Sequence, residues 1–304
     1  MSPKVELHIG MGKTGTTSIQ QYLHQNMDHL LSAHGILYPR RSRLRIGRNC
    51  PDHRALAWSI SDYYSKMFRF ELSDSYWEET RDEFGSSGAH RMILSSEFLW
   101  SLGDGEIERI RYELQGHDVR VIIYMRNIRS RIISGYKQSV KIGKMTHSFR
   151  TYAESRLERY DYCKMLSKWE NVFGADNIVI RLYEKVRKDV VGDFCSMLDL
   201  PVLESVAVRQ NISPSDSIIQ MILRLNRIEK NTLLKKTGLI RGVRRKMLES
   251  RSLAGAMEKP CRFLFRAAIV PPADIDWLRE ATAGMRQEFA QSYLNEEDRS
   301  LYEF

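Results

Sequence analysis

Lysine and threonine set among glycines are the groups that hold an anion, and residues 5–22, VELHIGMGKTGTTSIQQY, concentrate them. Gly10, Gly12 and Gly15 let the backbone approach a ligand closely; Lys13 brings a positive charge; Thr14, Thr16 and Thr17 bring hydroxyl donors. An apolar run (Val5, Leu7, Ile9) precedes them, and a helical pattern through Ile19, Leu23, Met27, Leu30 and Leu31 follows. Strand, glycine turn and helix aim backbone N–H groups and a helix N-terminus at an anion, so the stretch reads as a phosphate cradle. The nucleoside-triphosphate loop, Gly, four residues, then Gly-Lys-Ser/Thr, does not fit it. Counting from Gly10 reaches Gly15 but finds Thr16 where lysine is needed, and counting back from Lys13 finds Leu7 in place of the first glycine.

Residues 119–138, VRVIIYMRNIRSRIISGYKQ, carry the second constellation. A buried-type strand ends in Arg126, and Ser134 follows eight residues on, inside the next helical pattern. An arginine at a strand's carboxyl edge stands where ligands dock on open α/β sheets, and its planar fork can chelate a phosphate. The plainer reading is a surface arginine beside a helical serine. Phosphate-transferring NTPases use a strand-end carboxylate to hold Mg²⁺. This strand ends in Met125-Arg126 with no acid, so no metal is expected.

The order Gly-Lys-Thr-Gly-Thr-Thr at residues 12–17 resembles the 5′-phosphosulfate loop of sulfotransferases that use 3′-phosphoadenosine 5′-phosphosulfate (PAPS), with Gly12 where that family usually has proline. Arg126 and Ser134 resemble its 3′-phosphate grip. Residues 159–184 and 211–226 resemble recurring segments of bacterial and glycan sulfotransferases, so the likeness covers roughly residues 4–228. It implies PAPS as co-substrate, bound by Gly12, Lys13, Thr14, Gly15, Thr16, Thr17, Arg126 and Ser134. It also implies an acceptor hydroxyl on a carbohydrate or glycolipid, and Lys13 neutralising charge on the bridging oxygen. Relatives use a glutamate or a histidine as base. Glu97 follows a predicted strand and should face the same sheet edge as the loop; the competing reading makes it a helix cap or an arginine partner. His53 is the other candidate, and His8, inside the first strand, is expected to be packed. Trp58, Tyr63, Tyr64, Phe68 and Phe70 line an acceptor cleft or, as aromatic helix faces more often do, a core.

Apolar runs at 5–9, 36–38, 91–95, 118–125 and 177–183 predict strands, separated by helical patterns at 53–70, 75–84, 106–114, 127–144, 149–173 and 190–200. Continuous apolar strands between helices imply a parallel sheet covered on both faces. The expectation is an α/β protein with the P-loop-type three-layer α/β/α fold and a helical C-terminal extension. A PAPS-binding core over 1–214 and a helical, basic subdomain of the same domain over 215–304 are expected.

The 304 residues are 42% hydrophobic and 28% charged, enough for a large core. Residues 224–266 hold thirteen Lys/Arg against three Glu, which accounts for the formal net charge of +9 and leaves the remainder near neutral. A solvated face, an acidic glycan or an anionic membrane surface would each suit this segment; nucleic acid is not the expected partner. Cys50, Cys163, Cys195 and Cys261 form no CxxC pair, which suits reduced thiols in the cytoplasm. A strand starting by residue 4 leaves no room for a signal peptide, and no apolar window approaches a span. Two other classes stay open: an ATP-dependent small-molecule kinase with an unusual loop, and a non-catalytic anion-binding protein.

Overall fold

Each apolar run becomes a strand in the computed structural model: β1 (Lys4–Ile9), β2 (Ile36–Leu37), β3 (Arg91–Ser96), β4 (Asp118–Met125) and β5 (Ile178–Leu182). The structure describes residues 3–44, 46–47, 50–203, 214–231, 239–249, 251–264 and 268–303. The strands form one parallel sheet in the order β2-β3-β1-β4-β5, with Leu7 opposite Leu94 on one side and Val121 on the other. The fold is the expected α/β arrangement.

Strand side chains alternate between faces. Ile122 and Tyr124 of β4 join a core with Tyr22 and Leu23 of the helix Thr16–His34 and Phe194 of the helix Val190–Met197. Burying Phe194 completely contributes about 2–3 kcal/mol. Val121, Ile123 and Met125 point the other way and are also buried, and the helix Tyr162–Phe173 packs on β4 and β5 from there. Both faces are covered, which is why the strands read as unbroken apolar runs rather than alternating ones.

The chain leaves β1 toward the β2 edge and leaves β4 toward the β5 edge, so the neighbours β1 and β4 diverge at their carboxyl ends. Such a switch point opens a crevice where ligands bind.

Two compact units divide the chain. The first comprises Met1–Arg126, Tyr162–Val208 and Phe289–Phe304 and holds the sheet; the second comprises Asn127–Asp161 and Arg209–Glu288. The units therefore do not fall at the expected 214/215 boundary, because residues 127–161 group with the later helices. Beyond residue 214 the described elements are all helices, from Asp216–Asn231 to Glu296–Glu303. Parts of the basic 224–266 segment (232–238, 250, 265 and 266) lie outside the described residues, as does all of 204–213 within the resemblance.

Two predicted helices are divided. The 53–70 pattern splits into Arg54–Trp58 and Asp62–Phe68. The 149–173 pattern splits into Phe149–Glu154, a 3₁₀ turn Leu157–Tyr160, and Tyr162–Phe173. Asn127 caps Ile128–Lys141 by accepting from the N–H groups of Arg129 and Ser130. The arginine-rich 40–48 stretch contains a short helix, Arg41–Leu44, and the Arg43 side chain is buried. Its Nε donates to Pro39 O at 2.6 Å and its Nη1 to Cys50 O at 2.9 Å, so this arginine staples the fold.

Candidate functional site

The turn after β1 carries two left-handed residues, Lys13 at φ +76° and Gly15 at φ +81°. Gly15 is required twice over: the conformation disfavours a side chain, and a Cβ would lie 2.6 Å from Val190 Cγ1. A Cβ on Gly10 would likewise fall 2.4 Å from Thr16 Cγ2, so the turn closes on itself without room for one. Gly10 N–H donates to Ser96 O at 3.1 Å, which ties the turn to the end of β3.

The threonines divide by role. Thr14 Oγ1 and Thr16 Oγ1 are buried and donate to Met11 O at 2.5 and 3.1 Å, so their hydroxyls hold the turn together. Thr17 is exposed, as is Lys13, and Gly12 is half-buried. The helix Thr16–His34 begins with Gly15 as N-cap, with no side-chain cap and no acid in its first turn. Its positive end is thus left for an external anion.

Arg126, immediately after β4, reaches this turn. Its Nη1 donates to Lys13 O at 3.1 Å, and its guanidinium carbon lies 5.4 Å from the Tyr183 ring centre. Its Nε is buried with no hydrogen-bond partner among the described residues, and the nearest carboxylate oxygen, on Glu184, stands 4.0 Å away. A buried donor left unmatched costs about 1–3 kcal/mol, so the position favours an incoming acceptor atom. Tyr162 holds both sides of the crevice: its hydroxyl donates to Arg126 O at 2.9 Å and touches Met11 Sδ at 3.6 Å. Reasoning from sequence missed Tyr162. Its only signal was its place in the 159–184 segment.

Glu97 lies in the turn that ends β3, beside β1, and is exposed. Its charge reaches Arg54: burial lowers the Arg54 pKa, but the Asp52 hydrogen bond and the charges of Asp52, Cys50 and Glu97 leave it raised. Arg54 Nε donates to Asp52 Oδ1 at 2.7 Å, and its guanidinium lies 5.8 Å from the Phe98 ring. Next to it, Trp58 stacks on Phe68 at 4.1 Å and meets Phe98 edge-on at 5.2 Å. Tyr63 and Phe68 at the rim are exposed, so the aromatic group is core on one side and open surface on the other.

His53 is spent on the fold. It is fully buried; Nδ1 accepts from Ser95 N–H at 3.1 Å, which leaves Nε2–H to donate to Pro39 O at 3.0 Å. Burial and then the Arg43 charge push its pKa well below the usual imidazole value. His8 is also buried, hydrogen-bonded through Nδ1 to Ser95 Oγ at 2.8 Å, with burial lowering its pKa to about 3. Ser134 lies at the middle of Ile128–Lys141 in the second unit, half-buried. The first unit therefore gathers Gly12–Thr17, Arg126 and Glu97 at one sheet edge, while His53 faces inward. Among the described residues no group of three His, Cys, Asp or Glu side chains could hold a metal ion, and no helix is long and apolar enough to cross a membrane.

No protein-family profile matches the chain. An uncharacterized protein of Archaeoglobus fulgidus is 29% identical over 142 residues, which take in 44% of this chain and 38% of that protein's length. Two of the solved structures the chain is similar to are sulfotransferases. The sulfotransferase from Alicyclobacillus acidocaldarius has a TM-score of 0.46 and 19% identity over 74% of this chain and 94% of that one. The sulfotransferase domain of the Synechococcus olefin synthase has a TM-score of 0.38 and 12% identity over 67% and 75%.

Proposed function

We propose that the chain transfers the sulfuryl group of PAPS to an acceptor hydroxyl, on a carbohydrate or glycolipid. The observation that carries this reading is the 3.1 Å contact between Arg126 Nη1 and Lys13 O. It supports the reading because two motifs far apart in sequence come to one edge of the sheet, each suited to one end of a doubly phosphorylated adenosine. The unmatched Nε of Arg126 and the uncapped helix after Gly15 fit a ligand with separate anionic groups.

PAPS would supply an activated sulfuryl group on a phosphate leaving group. Gly12–Thr17 would hold its 5′ end with backbone N–H groups, and Arg126 its 3′-phosphate. Glu97 would accept the acceptor's hydroxyl proton as that oxygen bonds to sulfur and the sulfur–oxygen bond to the phosphate breaks. The Lys13 ammonium would neutralise the charge left on the departing oxygen. Glu97 is the preferred base because it is exposed at the sheet edge, whereas both His53 nitrogens are engaged by backbone.

Equilibrium titration with 3′,5′-adenosine bisphosphate (PAP), ATP and AMP tests the reading. PAP should bind more tightly than the other two, and Arg126→Ala should abolish the preference over AMP. Tighter binding of ATP, with a Mg²⁺ requirement, would replace this proposal with the kinase reading.

A further inference from the structure

The second unit carries a cleft that the sulfuryl-transfer reading does not use. It is an open cleft of about 550 Å³, within the roughly 300–1,000 Å³ range of small-molecule sites. Cations converge on it from three segments: Lys144 from the loop after Ile128–Lys141, Lys230 from Asp216–Asn231, and Arg241 and Arg244 from Leu239–Glu249. His147 adds an imidazole, and Glu229 is the carboxylate among the lining residues.

The floor is a built structure. Asn226, 2% exposed, donates through Nδ2 to Val140 O at 2.8 Å and Met145 O at 3.0 Å, fastening the loop to the helix. Arg244, 8% exposed, donates from Nη1 to Asn226 Oδ1 at 2.9 Å and to Glu229 Oε2 at 3.3 Å. Gly143 has φ +78°, and a Cβ there would lie 2.4 Å from the Arg244 guanidinium carbon, so glycine makes room for it. Arg244 thus answers the Glu229 charge, and no other acid among the lining residues balances Lys144, Lys230 and Arg241. Lys144, Lys230 and Arg241, all exposed, line one open cleft above the buried Arg244, where like charges repel unless an anion sits between them.

We propose that this cleft binds a phosphate or sulfate monoester group. The inference does not depend on sulfuryl transfer: it stands on the second unit alone. The ester can come from a soluble sulfated or phosphorylated sugar or from a lipid headgroup, and the two sources are separable.

Calorimetric titration of the full chain with inorganic phosphate, glucose 6-sulfate and unmodified glucose gives the first arm. Co-sedimentation with phosphatidylcholine vesicles, with and without one-fifth phosphatidic acid, gives the second. Phosphate and glucose 6-sulfate should bind and glucose should not. Lys230→Gln with Arg241→Gln should weaken both at least tenfold, since each charge-assisted contact is worth roughly a factor of ten. The thermal midpoint should stay unchanged, which shows the variant folded, and PAP binding should stay unchanged too. Tighter binding to the phosphatidic acid vesicles than to the soluble ester assigns the lipid source, and the reverse assigns the sugar. The proposal is overturned if the double variant binds the esters as the unmodified chain does. It is equally overturned if Arg187→Gln with Lys188→Gln, two exposed cations of the first unit, weakens binding as much, because the attraction is then a general field.

Discussion

Lys13 adopts a left-handed backbone conformation that costs an L-residue about 1–2 kcal/mol. Strain held at one residue of a tight turn is a mark of a position kept for function rather than stability. Lys13→Gly should therefore stabilise the chain by about 1 kcal/mol in denaturant unfolding while lowering the proposed sulfuryl transfer about 100-fold or more. An unchanged transfer rate would remove Lys13 from the proposed chemistry. Glu97→Gln should reduce turnover by roughly 10²–10⁴ with PAP affinity intact, whereas His53→Ala should lower stability first. The buried histidines also set a pH dependence. His8 has a folded pKa of about 3 against an ordinary 6.5, so the unfolded chain binds more protons between those values. Its contribution is present above about pH 6.5 and is lost as the pH falls toward the folded value, at about 1.4 kcal/mol per pH unit. His53 acts in the same direction. Unfolding free energies measured from about pH 7 to about pH 5 should fall, and His8→Gln should flatten that slope.

At the scale of elements, the turn after β1 depends on the helix Val190–Met197 through the close approach of Gly15 to Val190. Gly15→Ala should cost about 2–4 kcal/mol, from conformation and overlap together. Val190→Ala in the same chain should recover at least about 0.5 kcal/mol of that sum in a double-mutant cycle. All five strands were legible in the sequence because each is apolar throughout, and a sheet covered on both faces demands that pattern. Helix breaks at Ser59–Ser61 and around residues 155–161 were not legible, since the polar residues there also suit an exposed helix face. The glycine turn could be read because its spacing is local. The burial of Arg43, the two backbone partners of His53 and the hydroxyl of Tyr162 could not, because each depends on contacts made across the sequence.

Over the whole molecule, charge and thiols are unevenly placed. Cys50, Cys195 and Cys261 are buried and free, and burial raises all three thiol pKa values, so reactive thiolate is scarce. Only Cys163, half-buried, should react quickly with an aromatic disulfide reagent in the native state; the other three should react after denaturation. Fast labelling of more than one thiol would contradict this packing. The helical character beyond residue 214 was legible, but the grouping of residues 127–161 with it was not, because a chain that leaves a unit and returns carries no local mark.

Phe289 lies 5.5 Å from Tyr162, the residue that joins Arg126 to Met11, and Tyr302 is fully buried beside Phe289 at 5.0 Å. Lys185 Nζ also pairs with Asp298 at 3.1 Å. During synthesis the ribosome delivers the glycine turn and β4 long before it delivers Phe289 and Tyr302. A nascent chain can thus assemble most of the sheet early, yet the edge where Arg126 meets the glycine turn stays unbraced until these late aromatic side chains emerge and dock.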